Sequence, residues 1–102
     1  MIIINGERWR VRRVPPSHPV LVYKTGAPAI GCCDDITKTI YLSYTLSPAM
    51  TKRVLCHEIV HAFMYSYNVP LTDEVEEIVA NIIDTYGYSI ISWTNAAYDN
   101  LK

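Results

Sequence analysis

The sequence predicts an α+β domain in which a small antiparallel sheet packs on two helices. Three observations predict it. Met1 to Val14 and Ala29 to Tyr44 alternate in the manner of strands, Pro48 to Tyr67 and Val75 to Tyr86 carry apolar residues at spacings of three and four, and the strand signals precede the helical ones. A chain of 102 residues, half of them apolar, has the length of one domain spanning 1–102 with a single modest core.

Asn5-Gly6 between Ile2-Ile3-Ile4 and Glu7 to Val11 is the two-residue signal of an N-terminal hairpin. In its second arm Trp9 and Val11 share the buried face and Arg8, Arg10 and Arg12 the solvated one. Prolines 15, 16 and 19 then break regular structure. Val20 to Lys24 is a short apolar run that fits a strand or a helical turn. Ala29 to Cys33, Asp34 to Lys38 and Thr39 to Tyr44 read as strand, turn and strand.

Ser47-Pro48 starts the first helix, because the serine oxygen caps a free N–H and proline at the first position has no donor to orphan. Val54, Leu55, Ile59, Ala62, Phe63 and Tyr67 make its stripe, and Asn68-Val69-Pro70 ends it near Tyr67. Thr72 caps the second helix, with Asp73 and Glu74 in the first turn. Val75, Ile78, Val79, Ile82, Ile83 and Tyr86 are its expected buried stripe and Gly87 its expected stop, with a last short helix in Tyr88 to Lys102.

Charge and cysteine content narrow the function. Nine Lys and Arg against ten Asp and Glu give a net charge of -1, so no polyanion-binding field forms and no nucleic-acid partner is expected. No apolar run reaches the ~18 residues of a membrane span, and Ile2-Ile3-Ile4 is too short for a leader core of ~7 to 15. A chain that is neither membrane-bound nor exported is expected. Cys32 and Cys33 are adjacent and point to opposite faces of a strand, so they form no mutual disulfide, and a reduced cytoplasmic setting follows as an expectation.

The chemistry lies in His57-Glu58-Ile59-Val60-His61. Residues four apart project from one helix face, so two imidazoles can grip one Zn2+ ion, while Glu58 is placed to act as general base on a water. Burying both histidines beside Glu58 without a metal would leave polar groups unpaired. Catalytic zinc sites usually take three protein ligands, and the second helix offers Glu76 and Glu77. At ~100° per residue Glu76 flanks the stripe of Val79, Ile82 and Ile83, whereas Glu77 points almost opposite its centre. A stripe turned toward the core therefore favours Glu76 as the third metal ligand with His57 and His61, and leaves Glu77 on a solvated face.

The hairpin ending in Ile40-Tyr41-Leu42, the helix bearing Leu55 to Ala62 and the helix reading Glu76 to Ile83 resemble the minimal gluzincins of the ImmA/IrrE type, many of them carried by phages and mobile elements. The resemblance covers Ala29 to Tyr86. It implies a zincin-like fold, zinc held by two histidines and a downstream glutamate, the motif glutamate as base, and proteolysis of a repressor or other regulatory protein. In that family the ligand glutamate is followed three, six and seven residues on by core residues, a phase that fits Glu76 with Val79, Ile82 and Ile83. This chain departs from it in having Val60 where glycine is more usual and Val79 where alanine is common.

A zinc metallopeptidase acting on a protein or peptide substrate is thus the expected activity, with a non-catalytic, metal-stapled binding module as the alternative. The substrate is expected beside an edge strand formed by Thr39 to Tyr44. Tyr65, Tyr67, Tyr86, Tyr88 and His18 are the candidate oxyanion donors. No oligomeric state follows from the sequence.

Overall fold

A computed structural model describes residues 1–23 and 25–102. Strands β1 (Ile2–Ile4), β2 (Glu7–Val14), β3 (Gly31–Asp34) and β4 (Thr39–Ser43) are followed by helices α1 (Pro48–Ser66) and α2 (Asp73–Leu101). The α+β architecture is as expected, and four details of it correct or sharpen the expectation.

First, the sheet is mixed. Its order is β1-β2-β4-β3, with β2 and β4 parallel and the other two pairs antiparallel. Between β2 and β4 the chain runs through the proline segment, a 3-10 turn at Pro19–Leu21 and β3, which lets β4 return beside β2 in the same direction. Second, β4 is therefore central, with Thr39, Ile40, Leu42 and Ser43 buried, and cannot be the edge expected to receive a substrate. That edge is β3. Third, the Val20 to Lys24 run resolves into the 3-10 turn and a bridge between Val22 and Pro28, Lys24 lying outside the described residues.

The N-terminal hairpin forms around Asn5 and Gly6, both at positive φ, as its turn type requires. It buries Trp9 completely, with Ile40, Leu42, Val54 and Ala62, in a core between the sheet and α1. The Trp9 indole Nε1 donates to Ser66 Oγ over 2.8 Å, tying the sheet to the last turn of α1. Ser47 Oγ accepts from Met50 N at the start of that helix, and Asn68 at φ 51 turns the chain out of it. No helix among the described residues is long and apolar enough to cross a membrane.

Fourth, α2 runs unbroken through Gly87 for 29 residues, absorbing the expected last short helix. A mid-helix glycine costs only ~1 kcal/mol relative to alanine, and neither Tyr88 nor the residues after it break the helix. Thr72 Oγ1 caps α2 on Val75 N, as read from the sequence. Only Ala80 of α2 is buried, against Val60 and Met64 of α1. Val75, Ile78, Ile82, Ile83 and Tyr86 are exposed and Val79 is partly buried against that contact, so most of the apolar stripe faces away from α1.

Candidate metal centre

The inverted α2 decides the site. The face that meets α1 through Ala80 also carries Glu76, Glu77 and Asp84, and all three carboxylates reach the two motif histidines. His57 and His61 stand one helical turn apart, their rings edge to face at 5.0 Å and their Nε2 atoms 3.3 Å from each other.

Glu77 bridges the two nitrogens. Its Oε1 is 2.9 Å from His57 Nε2 and its Oε2 3.0 Å from His61 Nε2. One ligand atom from each of His57, His61 and Glu77 lies within 4.8 Å of the other two, a group able to hold a metal ion. Glu76, the expected third ligand, is elsewhere: its Oε1 is 2.6 Å from His61 Nδ1, across the imidazole from that common point. The difference follows from the direction of the stripe. With Ile78, Ile82 and Ile83 turned outward and Val79 only at the border of the α1 contact, the residue on the opposite side is the one aimed at α1, and that residue is Glu77.

On the other ring, His57 Nδ1 meets Asp84 Oδ2 at 2.7 Å. Arg53 Nε donates to Asp84 Oδ1 and its guanidinium also reaches Thr85 Oγ1, which fixes the carboxylate in turn. Burial alone would raise the Asp84 carboxyl, but hydrogen bonds from His57, Thr85 and Arg53 hold it below the usual carboxylate range. Sequence reasoning missed Asp84. Its signal was present, since it follows Glu77 by seven residues and so shares its helix face.

Both Nδ1 atoms thus face carboxylates, which fixes each ring's tautomer with Nδ1–H donated and the Nε2 lone pair free. Two Nε2 lone pairs and a carboxylate converging at 2.9–3.3 Å are acceptors facing acceptors. A shared cation satisfies all three, and nitrogen and oxygen donors of this kind suit zinc. For His61 burial opposes protonation, yet the Glu76 hydrogen bond and the charges of Glu58 and Glu77 raise its pKa above the ordinary value of 6.5.

Glu58 is buried on the sheet side of α1, and burial raises its carboxyl above 4.5 although both histidines pull it down. Its neighbour is Gly31 of β3. A Cβ on Gly31 would stand 2.6 Å from Val54 Cγ1 and 3.1 Å from Glu58 Oε2, so only glycine lets β3 lie this close to the helix. Cavities of about 380 and 410 Å³ open on either side of this contact and share Tyr23, Gly31, His57, Glu58 and Glu77 as walls. Together they form a cleft that passes β3 and the imidazoles.

Of the five candidate oxyanion donors, Tyr65 alone lines the cleft. Tyr67 stacks on Phe63, Tyr86 lies on the exposed stripe, Tyr88 sits beneath the Lys52 ammonium, and His18 Nδ1 accepts from Val20 N while its ring stacks on Tyr41. Tyr23, not anticipated, lines both halves of the cleft.

Fold and site together define a small α+β domain built around a two-histidine, one-carboxylate metal-binding group. The model of the Peptidase_M78 family, described as the IrrE N-terminal-like domain, matches residues 10–98, and the chain belongs to that family. It is a metallopeptidase-type domain, as the resemblance to ImmA/IrrE proteins implied. No curated protein and no solved structure matches the chain significantly.

Proposed function

We propose that the protein is a zinc-dependent peptidase that hydrolyses a peptide bond of a protein substrate, with Glu58 as general base. The observation that carries this reading is the convergence of His57, His61 and Glu77 beside a buried carboxylate at the wall of an open cleft. His57 Nε2, His61 Nε2 and the Glu77 carboxylate would hold the ion. Bound there, zinc would lower the pKa of a water toward ~7 and polarise the scissile carbonyl.

The remaining steps belong to the chain's own residues. Asp84 and Glu76 keep the imidazoles turned and raise their basicity. Glu58, whose raised pKa brings it nearer the working range of a base, accepts the proton of the attacking water and passes it to the leaving amine as the C–O bond forms and the C–N bond breaks. The Tyr65 phenol, raised by burial above 10.0 and so kept protonated, donates to the oxygen that gains charge. The substrate backbone pairs with the free edge of β3, in place of the central β4. A regulatory protein is the substrate class the family resemblance implies.

Among the described residues three protein donors form the metal-binding group, and a catalytic zinc site keeps one position open where a structural staple closes it. A peptide library incubated with the zinc-loaded protein should be cleaved, and chelation should stop cleavage. Peptide turnover that persists after complete metal removal would contradict the reading.

A further inference from the structure

The long stripe on α2 is the largest feature the site does not use. Charged residues of the helix, Asp73, Glu74, Glu76, Glu77, Asp84 and Asp99, fall on the side toward α1 or its flank at ~100° per residue. The other side is apolar from end to end and, apart from Val79 at its border with α1, finds little cover among the described residues, with Trp93 66% and Leu101 82% exposed. A monomer rarely leaves so extended an apolar face in water.

From this arrangement we infer that α2 pairs with α2 of a second copy of the chain, antiparallel, about a two-fold axis near Tyr88. The spacing of the stripe reads the same in both directions. In that register Val75 meets Leu101, Ile83 meets Trp93 and Tyr86 meets Ile90, each pairing a smaller side chain with a larger one. A two-fold axis demands such self-complementarity; a surface made for an unrelated partner does not.

Charge and area agree. No charged residue lies between Asp84 and Asp99, so the middle of the interface brings no like charges together. A parallel pair would crowd the acidic first turns of both copies, whereas the antiparallel one sets them against the opposite ends and opposes the helix dipoles. At ~1.5 Å per residue the helix is about 43 Å long. Burying on the order of 100 Å² from each of the six large side chains of that register gives roughly 600 Å² per partner, the lower end of the range for stable interfaces. Before Lys102 the helix has no basic residue to draw it to an anionic lipid surface. Glu77 and Asp84 lie roughly 150° round the helix from the stripe, so pairing leaves the cleft open.

Sedimentation equilibrium of the full chain tests this. The wild-type chain should have twice the 11.6 kDa of one copy, and Ile90→Lys should have the mass of one copy with unchanged circular dichroism. Because position 86 of one copy faces position 90 of the other, mixing Ile90→Lys with Tyr86→Glu should bring the dimer back; parallel pairing would not. A wild-type chain monomeric at about 100 μM, well above the Kd of even a weak specific dimer, would give the stripe to another partner and overturn the proposal. A dimer that survives Ile90→Lys, or a mixture that stays monomeric, would overturn it as well.

Discussion

Glu76 and Glu77 are neighbours in sequence and stand on opposite sides of one imidazole, Glu76 Oε1 at 2.6 Å from His61 Nδ1 and Glu77 Oε2 at 3.0 Å from His61 Nε2. One carboxylate orients the ring and the other shares its metal-facing nitrogen. The division of labour predicts different consequences for two substitutions one residue apart. Glu77→Ala should abolish stoichiometric zinc binding. Glu76→Gln should retain one zinc per chain with affinity lowered about 10–100-fold, the usual cost of losing an outer partner. Competition titration against a chromophoric chelator separates the two, and equal losses would show that the roles are not divided.

Glu58→Gln separates catalysis from stability. Turnover of a cleaved peptide should fall to background while zinc content stays at the wild-type level. The folded carboxyl titrates above its unfolded value of 4.5, so its ionisation costs the fold stability once the pH exceeds that value. The amide removes this cost. The metal-free variant should melt above the metal-free wild type at neutral pH, by about 4–8 °C for each ~1 kcal/mol recovered in a domain of this size. Calorimetry of both in chelator checks it, and a lower Tm for the variant would count against a strained, buried base.

Gly31→Ala should be damaging out of proportion to one methyl group. The added Cβ would overlap Val54 Cγ1 and press on Glu58, so either β3 lifts from α1 or the base turns aside. Overpacking of this kind costs ~1–3 kcal/mol, visible in urea unfolding. Turnover should fall further than stability alone explains. An unchanged midpoint and unchanged turnover would mean that strand and helix are not in contact as described.

The pH response should change sign with metal. His61 in the folded chain titrates above 6.5, so without metal its contribution to stability is complete below that value and is lost as the pH rises through the raised pKa. Glu58 acts in the same direction from 4.5 upward. Zinc requires the neutral imidazole, so its affinity should climb over the same interval. Thermal midpoints between about pH 5.5 and 8 should fall with pH in chelator and rise with pH in excess zinc. Parallel trends in the two conditions would contradict the pairing of His61 with both carboxylates and metal.

Local features were legible in the sequence because local chemistry decides them. Asn5-Gly6 takes the positive φ values its hairpin needs, Ser47-Pro48 and Thr72 cap the helices they precede, and His57 and His61 meet because helices have one pitch. What escaped was non-local. That β4 sits between β2 and β3 depends on a crossover no short-range pattern records. Taking the apolar side of α2 as its buried side led to Glu76, although the acidic side packs on α1 and the apolar side stays exposed. Counting from Glu77, the residue three further on is Ala80, the small side chain on which the two helices meet, whereas those six and seven further on are the exposed Ile83 and the histidine partner Asp84. Gly87 did not stop α2, since a glycine ends a helix only where the chain has reason to turn.

The most direct test of the metal centre is the anomalous diffraction of a crystal grown with zinc, recorded on both sides of its absorption edge. The account predicts one strong peak per chain within ~2.0–2.2 Å of His57 Nε2, His61 Nε2 and a Glu77 oxygen, with Glu76 and Asp84 still on the Nδ1 atoms. A peak ligated by Glu76, or no zinc peak at these histidines, would contradict it.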